Sequence, residues 1–248
     1  MLVIILIVVL YLFFSYTNKI IEQQKINNIG QKFIFWTGGF DSTFRLLQLC
    51  ENKILVQPIY LYGNVDSDIM FIQRQNKLQE LTRMIKIRKL INDMYPWTRR
   101  TLMGTLFVSD IPKNKFISDK YSDLYTNLGF FSRPSGQLRT MATLSYLHKI
   151  IIETGIEDCV NDKTFPICNL LVGNNDNRRI KTNLPEEYKD LVIFKYLRFP
   201  IAHLTKQEML DICREKNWKD IIKTTFSCWF PSFGEPCGTC DMCRKRIV

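Results

Sequence analysis

Histidine is nearly absent from this chain, with two residues in 248, and neither is paired with a carboxylate in a pattern that a hydrolase triad would need. General-base chemistry on His148 or His203 is therefore not indicated. No G-x-x-x-x-G-K-[ST] stretch occurs, which removes the kinase-type phosphate loop. Low-complexity tracts and internal repeats are missing too, so solenoids and long disordered arms are excluded. Acidic residues are short relative to basic ones, 24 against 34, giving a formal charge of +10. The excess is spread along the chain, which suits an enzyme of nucleotide polyphosphates better than a nucleic-acid binder. RNA contact stays a minor expectation.

What the chain does have begins at a β-like run, residues 32–36, followed by Thr37-Gly38-Gly39-Phe40-Asp41-Ser42-Thr43 and a helix-like run at residues 44–50. Two glycines let the backbone turn sharply, so that successive amides and the positive end of the next helix can face an anion. The hydroxyls of Thr37, Ser42 and Thr43 add donors. Asp41 is a poor direct phosphate ligand and makes better sense holding Mg²⁺ or water between itself and a phosphate chain. ATP is the implied guest. A plain tight turn is the bland alternative for two glycines between strand and helix.

At the other end, Cys228, Cys237, Cys240 and Cys243 form C-x8-C-x2-C-x2-C, with Gly238 allowing a knuckle. Four sulfurs at this spacing match a tetrahedral Zn²⁺ site, closed to water and hence structural; disulfides are the alternative. The other four, Cys50, Cys159, Cys168 and Cys213, read as small buried hydrophobes, with a persulfide carrier as the sharper option. Trp229 and Phe230 suit either stacking on a flat base or packing over the knuckle.

The glycine loop resembles the SGGxDS loop of PP-loop ATP pyrophosphatases, with Thr37 in place of the first serine. Together with Thr225-Phe226-Ser227-Cys228, Cys237-Gly238-Thr239-Cys240-Asp241-Met242-Cys243 and Arg246, it resembles the 7-cyano-7-deazaguanine synthases of queuosine precursor biosynthesis. Residues 199–208, holding Lys206, are similar to that family's lead into its late helix. The resemblance runs from about residue 31 to 248 and thins in the middle. Arg139-Thr140 stands where the family has Arg-Asn, Gly173-Asn174-Asn175-Asp176-Asn177-Arg178 is a compressed echo of G-x-N-x-x-D, and Asn64-Val65-Asp66 follows Tyr62-Gly63 where His and Glu are expected.

The resemblance implies an α/β, parallel-sheet, adenine nucleotide alpha hydrolase-like (PP-loop) fold with a C-terminal four-cysteine zinc knuckle. It implies a ligase that uses ATP, Mg²⁺ and ammonia to turn a 7-carboxy-7-deazaguanine-like acid into a nitrile through an adenylate. Asp41, Ser42 and Lys206 would be catalytic, with Trp36, Thr37, Gly38, Gly39, Phe40, Asp41, Ser42 and Thr43 binding the nucleotide. Two rivals stay open: a PP-loop adenylating enzyme acting on a tRNA base or other nucleotide, and a non-catalytic, membrane-tethered zinc-binding protein. A homodimer is compatible with all of them.

Residues 2–14 are apolar and uncharged. At about 1.5 Å per residue they reach about 20 Å, short of a hydrocarbon core of about 30 Å, so residues 1–16 read as a marginal single-pass anchor. A basic start and a small-residue cleavage site are both missing, which argues against a secretory signal. Lys19, Lys25 and Lys32 follow the segment and would leave the enzyme in the cytosol. A start chosen too early, with a soluble protein, is the alternative. Residues 17–31 read as a linker, 32–223 as the catalytic domain and 224–248 as the zinc segment.

Alternation of elements predicts strands at residues 32–36, 54–61, 105–108 and 170–172. Helices are predicted over 66–91, capped by Asp66 or Ser67, with Leu78, Leu81 and Ile85 as its apolar stripe, and over 137–152 with Met141, Leu144, Leu147 and Ile151 buried. The basic run 83–89 reads as a solvated face, and 110–133 as an insertion or lid.

Overall fold

A computed structural model describes residues 30–62, 76–108, 135–157, 166–228 and 230–244. The candidate anchor, the expected cap at Asp66 or Ser67, the 110–133 insertion, Cys159, Trp229 and Arg246 lie outside them. Among the described residues no helix is long and apolar enough to cross a membrane.

Residues 32–248 form one compact unit around a five-stranded parallel sheet. Strand β1 (Gln31–Phe35) leads into helix α1 (Phe40–Glu51), β2 (Leu55–Leu61), α2 (Lys77–Met94) and the short α3 (Thr98–Thr101). Then come β3 (Leu106–Val108), α4 (Ser135–His148) and β4 (Ile152–Glu153), followed by a small antiparallel ribbon of β5 (Leu171–Val172) and β6 (Arg179–Ile180). The chain closes with β7 (Leu197–Arg198), α5 (Lys206–Glu215), α6 (Lys219–Lys223) and α7 (Asp241–Arg244).

Sheet order is β3-β2-β1-β4-β7. The winding runs outward from β1 to β3 on one side and from β4 to β7 on the other, so the reversal falls between β1 and β4, where open α/β sheets form their crevice. Phe33, Ile34 and Phe35 are all at most 3% exposed, the unbroken apolar pattern of a strand covered on both faces. The main core joins β1 and β2 to α1, α2, α5 and α6, with Trp218 set edge-on against Phe44.

Two sequence expectations need correction here. Helix α4 stops at His148 instead of running to residue 152, because Lys149 turns left-handed (φ +53°) and Ser145 bonds Ile150 through both its backbone and its hydroxyl. Ile151 is then half exposed and Ile152 begins β4, the strand that pairs β1 in register Phe33 to Ile152. Helix α2 departs from its expected phase: of the predicted stripe Leu81 packs against the core, but Leu78 and Ile85 are more than 70% exposed, while Glu80, Met84, Ile87 and Ile91 face inward. Within the basic run, Arg88 is structural. It donates to the carbonyls of Leu102 and Met103 and to Thr105 Oγ1, and lies 5.8 Å from the Trp36 ring.

The predicted strand at 170–172 exists as β5 but belongs to the ribbon rather than the main sheet. Cys50 and Cys213 are buried thiols, pushed up to about 12 by burial. Cys168 departs from the buried-thiol expectation, being disulfide-bonded.

Candidate functional site

The glycine loop leaves the carboxyl end of β1 at the sheet's reversal. Gly38 takes φ +73°, and a Cβ there would stand 3.0 Å from Met84 Cγ and 3.3 Å from the Glu80 carbonyl, so the loop is seated directly on α2. Gly39 caps α1 without any side-chain bond, and its carbonyl accepts the Thr43 amide at 3.1 Å. The first-turn amides of α1 therefore have no side-chain acceptor at their cap, the state in which a helix start attracts an anion.

Hydroxyls hold the turn's shape. Thr37 Oγ1 accepts from the Gly39 amide at 3.4 Å, and Ser42 Oγ donates to the Gly39 carbonyl at 3.4 Å. Trp36 and Thr43 are wholly buried, with the indole N–H donating to Thr43 Oγ1 at 3.0 Å, so these two support the loop from beneath. Phe40 is buried as well, and Lys206 Nζ lies 5.0 Å from its ring.

Beside the loop runs Thr154-Gly155-Ile156-Glu157, leaving the end of β4. A Cβ on Gly155 would sit 2.6 Å from the Ser42 nitrogen and 2.9 Å from its Cα. Only glycine permits that approach of two backbones. Glu157 is brought to the front of α1, where Lys206 Nζ lies 2.9 Å from its Oε1 and is also ion-paired with Asp41 Oδ1. Lys206 is the first residue of α5, aimed by the Thr205–Glu208 capping box: Thr205 Oγ1 accepts the Glu208 amide and Glu208 returns to the Thr205 amide at 2.7 Å.

Burial and the charge of Glu157 raise the Asp41 pKa to about 6, against the pull of Lys206. Burial works to lower Lys206, but Asp41 and Glu157 outweigh it and hold the ammonium above its ordinary value. The mouth of the loop thus carries one firmly cationic group between two carboxylates. Glu157 and Gly155 were not expected from sequence. A T-G-x-E stretch after a two-residue strand carries no signal of its own until the strand is recognised.

Further out, the buried Arg45 binds Glu153 at 2.8 Å, and its Nη2 lies 2.7 Å from Asp176 Oδ1. The Asn-rich loop at 173–178 is thereby tied to α1 and to the end of β4. Arg139, a candidate pocket residue, lies on α4, but its side chain is outside the described residues. His203 precedes α5 with Nδ1 buried and without a hydrogen-bond partner among the described residues; burial and Arg178 lower its pKa from the ordinary value.

The four knuckle sulfurs lie within 4.8 Å of one another, and all four are free thiols. Cys237 and Cys243 are 3.9 Å apart and Cys228 and Cys240 4.0 Å, far beyond a disulfide and close to the edge of about 3.8 Å that a tetrahedron with 2.3 Å Zn–S bonds requires. Amides support them: Cys237 N–H points to Cys228 Sγ at 3.2 Å and Cys240 N–H to Cys237 Sγ at 3.4 Å. The donor set fits Zn²⁺. Phe230 packs on this cluster, the second of the two roles open to it.

The two regions meet. The Phe226 amide donates to the Gly38 carbonyl at 3.0 Å, and Ser227 Oγ would lie 3.7 Å from a Cβ on Gly39. The segment leading to the first cysteine is thus part of the glycine loop's wall.

No known family profile matches the chain, and no curated protein matches it. Among solved structures it is similar to NMN synthetase from Francisella tularensis, at 14% identity and TM-score 0.37 over 92% of this chain and 79% of that one. It is similar to the NH3-dependent NAD synthetase of Campylobacter jejuni solved with nitrate, at 15% identity and TM-score 0.35 over 87% and 76% of the two chains. A third likeness is to the glutamine-dependent NAD+ synthetase of Acinetobacter baumannii solved with ADP, at 11% identity and TM-score 0.39, where 86% of this chain spans about a third (34%) of that one.

Proposed function

We propose that this protein is an ATP-dependent ligase that splits ATP into AMP and pyrophosphate, activates a carboxylate on a 7-deazapurine as its adenylate, and lets ammonia displace the AMP. A second activation, of the resulting amide oxygen, followed by loss of AMP and a proton, yields the nitrile. The observation that carries this reading is the Asp41–Lys206–Glu157 constellation at the mouth of an uncapped glycine loop, placed where the sheet order reverses.

In that reaction the amides after Gly38 and Gly39 and the Ser42 hydroxyl would hold the departing pyrophosphate. Lys206 would offset the negative charge that builds as the bond between the α and β phosphates breaks. Glu157 keeps the ammonium at the mouth when no phosphate is there. The Asp41 carboxylate, about one quarter exposed, is a hard oxygen donor of the type Mg²⁺ takes, and the ion would neutralise phosphate charge. The sulfur-bound zinc has no open position and would take no part in the bond-making steps.

A second acceptor class, a tRNA base or other nucleotide, is favoured by one observation. Asp176, the acid of the compressed G-x-N-x-x-D echo, is paired with Arg45 through one oxygen while its side chain stays about two-thirds exposed, an arrangement open to a larger acceptor. Mass spectrometry of products from ATP, ammonia and 7-carboxy-7-deazaguanine decides between the two. Amide and nitrile with matching AMP support the first reading, and AMP released with RNA but not with the deazapurine acid supports the second. Absence of ATP binding by the purified protein would leave the non-catalytic zinc protein and overturn both.

A further inference from the structure

The glycine loop and the cysteine knuckle share one support, and it is polar and buried. Glu80 on α2 is 4% exposed, and its carboxylate accepts from Tyr60 OH at 2.7 Å and from Asn76 Nδ2 at 3.0 Å. The same Asn76 nitrogen donates to the Cys228 carbonyl at 3.1 Å. The backbone of Glu80 is the surface on which Gly38 sits, its carbonyl 3.3 Å from where a Gly38 Cβ would be. A second strut closes the circuit, from the Phe226 amide to the Gly38 carbonyl, two residues before the first cysteine.

Burying an asparagine and a glutamate is costly unless every bond is made, and an apolar pair would hold α2 to the sheet at less risk. The arrangement has a use that an apolar pair lacks: it fixes the Cys228 carbonyl relative to the floor of the glycine loop. We propose that Asn76 is a positioning residue that couples the cysteine site to the nucleotide site, so that metal on the four sulfurs tightens the loop's grip on ATP. The inference rests on the reading of this loop as an ATP site and adds a role for the knuckle within it.

With metal bound, Cys228 is held from both sides, by the ion and by Asn76, and the Phe226 amide keeps its place on Gly38. Without metal, the segment from Phe226 to Cys228 loses one of the three holds just named, and the Phe226 amide is less firmly fixed on the Gly38 carbonyl. Because binding free energies are linked, the effect must run both ways by the same factor: nucleotide must raise the affinity for metal. Merely structural zinc has no such obligation.

The test uses the full chain loaded with Zn²⁺ in excess Mg²⁺. Zinc affinity is read by competition with a chromophoric chelator, with and without a non-hydrolysable ATP analogue. The analogue should raise zinc affinity about tenfold, within the usual range of coupling between sites. Asn76→Ala should still bind both ligands but shrink the factor to about twofold. Tyr60→Phe, which removes another donor to Glu80 without enlarging any cavity, should lower it to an intermediate value and serves if the first variant does not fold. Equal zinc affinity with and without analogue in the wild type overturns the proposal, as does a full tenfold factor in either variant. Failure here with AMP still formed from a deazapurine acid leaves the proposed function standing; coupling without AMP formation does the reverse.

Discussion

The glycine loop stands on twenty or so buried side chains drawn from two strands and four helices, whereas the cysteine knuckle has a core of three, Phe226, Cys228 and Cys240, with Phe230, Cys237 and Cys243 packed around them. Apolar burial of about 25 cal/mol per Å² can hold the first in shape by itself. It cannot do so for the second, where the thiols occupy the positions a core would fill. One region is shaped by packing and gathers Asp41, Glu157 and Lys206 at its mouth; the other is shaped by its cysteine ligands. Perturbations of the two should therefore differ in what they do to the fold and to zinc content, whatever the coupling between their ligand affinities.

The largest separation is expected from Cys240→Ser. Removing one of four ligands should abolish stoichiometric zinc, and segment 228–244 should become the site of protease cleavage. Structural zinc in small peptides is worth about 10–16 kcal/mol of apparent binding energy, so no packing there can compensate. Far-UV circular dichroism should change little, since the sheet and its helices carry their own core. Loss of the whole fold would show that the sheet depends on the knuckle and break the comparison. Next in size is Asp41→Asn, a change at the surface of the packed region. AMP formation should fall by about 10²–10³, the usual loss when one charge-stabilising group is removed. Zinc content and melting temperature should hold, and an undiminished rate would remove Asp41 from the mechanism.

Gly155→Ala probes the packing itself. The new Cβ would meet the Ser42 backbone at 2.6 Å, and backbone cannot swing aside as a side chain can. Either β4 or α1 must shift, at a cost of about 1–3 kcal/mol. ATP affinity should drop with the melting temperature, while zinc content in the absence of nucleotide stays at one per chain. A variant that melts and binds like the wild type would mean that the two segments are not in contact.

What sequence revealed of these regions follows from how local each signal is. The turn at Gly38-Gly39, the lead of residues 199–208 into a helix and the cysteine spacing are each set within sixteen or fewer neighbouring residues, and all three are found where expected. Strands β4 and β7 are two residues long and owe their state to parallel partners far away in the chain, so residues 149–152 read as the end of a helix. Without β4, nothing pointed to Gly155 or Glu157. Helix α2 misled in another way: Asn76 at its cap and Glu80 are buried while Leu78 and Ile85 are exposed, so hydrophobic periodicity picked out the inward side only at Leu81. A polar network beneath the glycine loop is what overrode the pattern.

The finest distinction concerns Glu157, which reaches the site only because β4 delivers it there. Its charge is the second cause, after burial, of the raised Asp41 pKa of about 6. Only the ionised carboxylate can act through Mg²⁺, so AMP formation should fall as pH drops through about 6. In Glu157→Gln that charge is gone while the side chain's size is kept, so Asp41 should ionise more readily and the acid limb of the pH–rate profile should move to lower pH. At pH 7 a group with pKa about 6 is already about nine-tenths ionised, so the rate there should barely change. Zinc content should not move at all. An acid limb that stays in place would mean that a different group titrates, and that Glu157 is a bystander to the loop rather than part of its electrostatics.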